Sequence, residues 1–122
     1  MTNRKEKTLV WIGSSKKDLM ALPSGVRKFF GHALYFAQCG EQHVAAKVLK
    51  GFGSAGVLEI VENAQGGTFR AAYTVKFQEA VFVLHVFQKK SKGGIATPKP
   101  EMDIIRARLK VAEKLSQEMR DA

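Results

Sequence analysis

The chain has 122 residues, enough for one domain with a modest core and too few for two. Its formal net charge is +9, yet 45% of its residues are hydrophobic, which excludes a disordered basic tail and directs a folded cationic protein to polyanions, nucleic acid ahead of anionic membrane. No apolar run approaches the roughly 20 residues that cross a bilayer, MTNRKEKTLV lacks the apolar core of a secretory signal, and the cytoplasm is the expected location.

In chain order, residues 1–7 read as a flexible N-terminus, and Thr8 to Ile12 (TLVWI) as a short β-rich strand. Gly13, Ser14 and Ser15 supply a turn and an N-cap for a helix through Leu22. Pro23 suits the first turn of a second helix, in which Val26, Phe29, Phe30, Ala33, Leu34 and Ala37 recur at helical spacing until Gly40. Cys39, the single cysteine, cannot form an internal disulfide and reads as a small half-buried side chain at that helix end. Glu41 to Gly56 breaks the pattern and reads as a glycine-rich basic loop. Three strands follow, Val57 to Glu62, Thr68 to Val75 and Val81 to Phe87, the first two joined by the turn residues NAQGG, and an antiparallel meander is expected. The third is apolar on both faces except for His85, as in a central strand covered on both sides. In the second, Arg70 shares a face with Ala72 and Thr74 only, so an open groove is expected before it. A helix from about Glu101 to Met119 ends the chain, with Arg108 inside its apolar stripe; either it pairs with a buried carboxylate such as Glu59, the favoured reading, or it snorkels to the edge. The predicted fold is α+β, in the order β-α-α-β-β-β-α, as one domain over residues 1–122.

The absences narrow the chemistry. Zinc-ligand spacing, a P-loop, a GxSxG elbow and paired acids are missing, and His32, His43 and His85 lie in different segments, so neither a metal nor another cofactor is expected. What remains is a set of cations, Lys47, Lys50, Arg70, Lys89, Lys90, Lys92 and Lys99, at the loop and strand ends of one small sheet. Such a set can bind RNA and can also cleave it. Cleavage without metal needs the 2′-hydroxyl aligned with the adjacent phosphate, positive charge against the transition state, and a proton for the leaving 5′-oxygen. A solvated, solubilising surface is the plain alternative for the lysine run.

Four blocks, VWIGSSKKDLMALP at Val10 to Pro23, LKGFGSAGVLEIVE at Leu49 to Glu62, TFRAAYTV at Thr68 to Val75 and LHVFQKKSKGGIATPKPEMDIIRARLK at Leu84 to Lys110, cover most of the chain. On them the sequence resembles the RelE/HigB-type toxins of bacterial toxin–antitoxin systems, above all their phage-derived branch. The resemblance implies the compact RelE-like fold and a ribosome-dependent mRNA endonuclease that leaves a 2′,3′-cyclic phosphate and a 5′-hydroxyl. It implies that Arg70 neutralises the scissile phosphate, that Lys50 polarises it, and that Lys89 and Lys90 hold RNA backbone, one of them as proton donor. Glu59 is then a structural residue first and a base second, Phe87 a core residue first and a stacking surface second, and Lys47, Lys92 and Lys99 further RNA contacts. The implied partners are mRNA, the ribosome and a HigA-like helix-turn-helix antitoxin whose acidic or amphipathic segment meets the cationic groove. Two departures stand out. Ile60 and Val61 occupy positions where many relatives carry arginine, and SQEMRDA lacks a C-terminal aromatic or histidine, which leaves proton transfer to lysines or to the ribosome. A ParE-like gyrase poison and a non-catalytic RNA-binding phage accessory protein are the alternatives.

Overall fold

The computed structural model describes residues 6–64, 66–89 and 96–122. The β-rich TLVW forms β1 (Thr8–Trp11), and a turn at Gly13 leads into α1 (Ser15–Met20). This helix stops short of the expected Leu22, because Pro23 disfavours helical backbone in the residue before it. Pro23 caps α2 (Ser24–Gln38) from outside, and Gly40, at φ +81°, takes the left-handed conformation beyond its end. Ahead of β1 the Lys7 N–H donates to the Gln38 carbonyl at 2.8 Å while Gln38 Nε2 donates to the Lys7 carbonyl at 2.8 Å. Residues 1–5 lie outside the described residues.

The segment read as a loop from Glu41 to Gly56 contains a strand, β2 (Ala46–Val48). Three residues are too few to show an alternating pattern, and this strand exists through its pairing with β3 (Val57–Ala64). Then come β4 (Gly67–Thr74), β5 (Ala80–Lys89) and α3 (Lys99–Asp121). The sheet order is β1-β5-β4-β3-β2; β3, β4 and β5 form the expected meander, and β1 lies parallel to β5.

Both faces of β5 are covered. On one face Phe30 and Leu34 of α2 meet Ile60, Ala71, Tyr73 and Val83; on the other, Ile105, Leu109 and Ala112 of α3 meet Ala72, Phe82 and Leu84. Each fully buried large apolar side chain contributes about 1.5–3 kcal/mol. The β4–β5 register shifts, since Ala72 opposes His85 whereas Tyr73 opposes Val83. Leu84 is the extra residue of this bulge, so Leu84 and His85 both meet α3, His85 through Nε2 at 2.8 Å from Glu101 Oε1.

Arg108 does not pair with Glu59. Its Nη1 donates to the Leu84 carbonyl at 3.0 Å and its Nη2 to Ser14 Oγ at 3.1 Å, with Nη1 3.4 Å from His85 Nδ1. The guanidinium fits because Gly13 has φ +57° and no side chain; a Cβ there would lie 2.8 Å from Arg108 Cζ. Arg108→Leu is expected to cost about 1–2 kcal/mol by abandoning the Leu84 and Ser14 oxygens, read as a lower urea midpoint.

Tyr73 is 0% exposed, and its hydroxyl has no hydrogen-bond partner among the described residues. Burial pushes its pKa up to about 12. Because the folded state keeps this proton where the unfolded tyrosine loses it, stability is intact below about pH 10 and falls as pH rises from there towards the folded value. Tyr73→Phe removes the unpaired hydroxyl and is expected to stabilise the fold by about 1 kcal/mol at neutral pH. Denaturant titrations at pH 7 and pH 11 check this, and the phenylalanine variant should show the smaller alkaline loss.

Candidate functional site

The register of the sheet assembles the site. Lys47 of β2 opposes Glu59 of β3, Glu59 opposes Ala72 of β4, and Arg70 lies one diagonal step from Glu59. Cross-strand and diagonal neighbours share a face, and Ala72 has no bulk to separate the two heads. The small residues beside Arg70 therefore do not leave an open groove before it, as expected from sequence. They leave space that Glu59 fills, with Arg70 Nη1 donating to Glu59 Oε1 at 3.2 Å and the side chains only 4% and 11% exposed.

Thr97, just before α3, completes a triangle. Its Oγ1 donates to Glu59 Oε2 at 2.6 Å and accepts from Arg70 Nη1 at 3.3 Å. Above this floor lies a groove of about 340 Å³ lined by Lys47, Leu49, Lys50, Glu59, Thr97 and Met102, among others. Lys47 and Lys50 are exposed on its rim. Lys89 reaches the same rim, its Nζ donating to the carbonyl of Ala96, another lining residue, at 3.0 Å. The loop that carries Lys50 is tied to α3 by Arg106, which donates to the Gly51 carbonyl at 3.2 Å and lies 4.8 Å from the Phe52 ring centre. The groove thus has a cationic rim over a neutralised, buried floor, suited to holding a phosphate chain while a carboxylate lies beneath it.

Lys47, Lys50, Glu59, Arg70 and Lys89 thus share one region. Lys99 does not line the groove; it forms an exposed pair with Asp103 at 3.1 Å. Phe87 is buried and stacked on His85, with ring centres 4.8 Å apart, the core position favoured for it over an open stacking surface. Lys90 and Lys92 lie outside the described residues. His32 and His43 come together after all, with ring centres 6.2 Å apart, but His43 Nδ1 accepts from the Ala45 N–H at 3.0 Å. Among the described residues no three histidine, cysteine or acidic side chains gather to hold a metal ion, and no helix is long and apolar enough to cross a membrane.

A wider hollow of about 480 Å³ lies between the β4–β5 turn and the end of α3. Its Glu79 accepts from Ser116 Oγ at 2.8 Å, which holds that carboxyl below its usual range. Cations and acids line this hollow together, Lys76 and Arg120 beside Glu79 and Glu113, so it lacks the one-signed rim of the groove. Sequence reasoning missed Thr97 and the His85–Glu101 pair. The signal available for Thr97 was a threonine directly before Pro98 at a helix start, which reads as a cap.

The fold has solved counterparts. The E. coli toxin RelE, determined in the free state as a double arginine-to-alanine mutant, is 18% identical with a TM-score of 0.56, over 88% of this chain and 97% of that one. The RelBE2 toxin–antitoxin complex from Mycobacterium tuberculosis is 17% identical with a TM-score of 0.46, over 75% of this chain and 100% of that one. No curated protein matches the chain in sequence. The family model described as phage derived protein Gp49-like matches residues 17–110, a span that runs from α1 into α3 and includes every lining residue of the groove. A RelE-like fold and a family match over most of its length place this chain in the phage-derived Gp49-like family.

Proposed function

We propose that this chain is the toxin of a toxin–antitoxin pair and cleaves messenger RNA on the ribosome, without metal. The observation that carries the reading is the groove itself, with Lys47 and Lys50 on its rim and the Glu59 carboxylate at its floor. The RelE-like fold supports it. In this reading Lys47 and Lys89 hold phosphates on either side of the scissile one. Glu59 takes the proton of the 2′-hydroxyl, whose oxygen attacks the adjacent phosphorus. The bond from phosphorus to the 5′-oxygen breaks, and Lys50 neutralises the phosphate and returns a proton to the leaving oxygen. Each well-placed proton transfer is worth about 10²–10⁴ in rate, and the rim charges add electrostatic stabilisation where negative charge grows. Arg70 acts through Glu59, which it orients, rather than as a free phosphate clamp. The partner that restrains the toxin is an antitoxin of HigA-like type, with an acidic or amphipathic segment for the groove. Action on the ribosome implies the cytoplasm.

The mutual neutralisation of Arg70 and Glu59 favours a second reading, in which the groove binds without hydrolysis, as in a gyrase poison or an RNA-binding accessory protein. The products discriminate. Purified chain added to a translating extract is expected to yield message fragments with 5′-hydroxyl and 2′,3′-cyclic phosphate ends. Intact message with DNA strand breaks in expressing cells would instead establish the gyrase role.

A further inference from the structure

We propose that Thr97 is a positioning residue of this groove, holding the Glu59 carboxylate in the orientation from which it takes a proton; the inference rests on the nuclease reading above. A threonine beside a helix start ordinarily spends its hydroxyl on the first-turn N–H groups. Here Pro98 is the capping residue of α3, no side chain caps that helix end, and the Thr97 hydroxyl turns to a residue 38 positions earlier in the chain. A hydroxyl has one hydrogen to give. Thr97 gives it to Glu59 Oε2 at 2.6 Å and receives Arg70 Nη1 at 3.3 Å, so its direction is fixed by both partners.

Among the described residues the carboxylate is held by one donor on each oxygen, Arg70 on Oε1 and Thr97 on Oε2. Two donors on different oxygens stop rotation about the terminal bond, which is otherwise broad for glutamate. A carboxylate has about four lone-pair sites, and the two donors leave the others for an incoming hydroxyl. The support of Thr97 is itself rigid, because Pro98 fixes the following backbone at φ −60° and Lys89 holds the carbonyl of Ala96 at 3.0 Å. Thr97 touches no reacting atom in this scheme; it acts only through Glu59.

The test measures kcat and KM on bacterial ribosomes carrying a defined message, for the wild type, Thr97→Val and Thr97→Ser, with melting temperatures alongside. Valine keeps the shape and removes the hydrogen, so kcat should fall about tenfold or more through misorientation of the base, while KM, set by the rim lysines, stays within a factor of two. Serine should return kcat to near the wild-type value. Should valine disturb folding, Thr97→Ala removes the same hydrogen without adding bulk and is measured instead. A wild type that cleaves and a hydroxyl-free variant with unchanged kcat would overturn the role of Thr97 alone, as would a serine variant as slow as valine. A wild type that leaves message intact on ribosomes would overturn the nuclease reading and this inference with it.

Discussion

Replacing Arg70 with alanine is expected to destabilise the fold by about 3–5 kcal/mol, a fall of about 10–20 °C in melting temperature for a domain of this size. The reason is the fate of Glu59. Its side chain is 11% exposed and faces Arg70 at 3.2 Å, so removing the guanidinium leaves a nearly buried carboxylate with Thr97 as its one remaining hydrogen-bond donor among the described residues. Breaking one half of a buried pair costs more than the pair contributes. The double change Glu59→Leu with Arg70→Met is therefore expected to recover most of the loss, because it removes both charges and keeps apolar volume. Thermal melts of the two single variants and the double variant check this. Additive losses would contradict the coupling. Loss of activity in Arg70→Ala alone accordingly says little about chemistry, since a partly unfolded protein is inactive for any reason.

Replacing Lys47 and Lys50 together with alanine is expected to do the opposite, leaving stability within about 0.5 kcal/mol of the parent, as for exposed side chains generally. Both lysines lie on the rim, and none of the described hydrogen bonds or ion pairs of the fold depends on them. The formal charge falls by two from +9. RNA affinity should drop at least about tenfold at moderate salt, and the slope of log affinity against log salt should shrink by about 1.4, two phosphate contacts at 0.7 each. Cleavage should lose more than binding, because Lys50 serves the transition state as well as the bound strand. Filter binding to a short single-stranded RNA across a salt series separates the two effects. An unchanged salt slope would show that RNA does not run along this rim.

Much of this molecule is legible in its sequence, and the failures have physical causes. β5 reads as a doubly covered strand because Val81 to Val86 is apolar at every position except His85, and it is buried on both faces. α2 reads correctly because its apolar residues keep helical spacing over four turns. β2 escapes because Ala46–Val48 is a strand only by virtue of its neighbour. Lys50, Glu59 and Arg70 are each identifiable from their blocks, but the Glu59–Arg70 contact depends on the register of β3 against β4, which no local pattern encodes. Arg108 misleads for a related reason. Its place in the apolar stripe suggests a buried acid, whereas the space vacated by Gly13 and the carbonyl of Leu84 satisfy it instead. Thr97 meets Glu59 only after the chain has returned across the sheet, so a cap is the natural local reading and the wrong one.

The role of the groove in message cleavage is tested most directly by inducible expression in a bacterium of the intact chain beside the Lys47→Ala, Lys50→Ala variant, with growth followed and transcript 5′ ends mapped. Growth arrest and new cuts within translated message are expected for the intact chain, both lost in a variant that still folds and accumulates. Arrest with uncut message, or cuts that persist undiminished in the variant, would contradict that role.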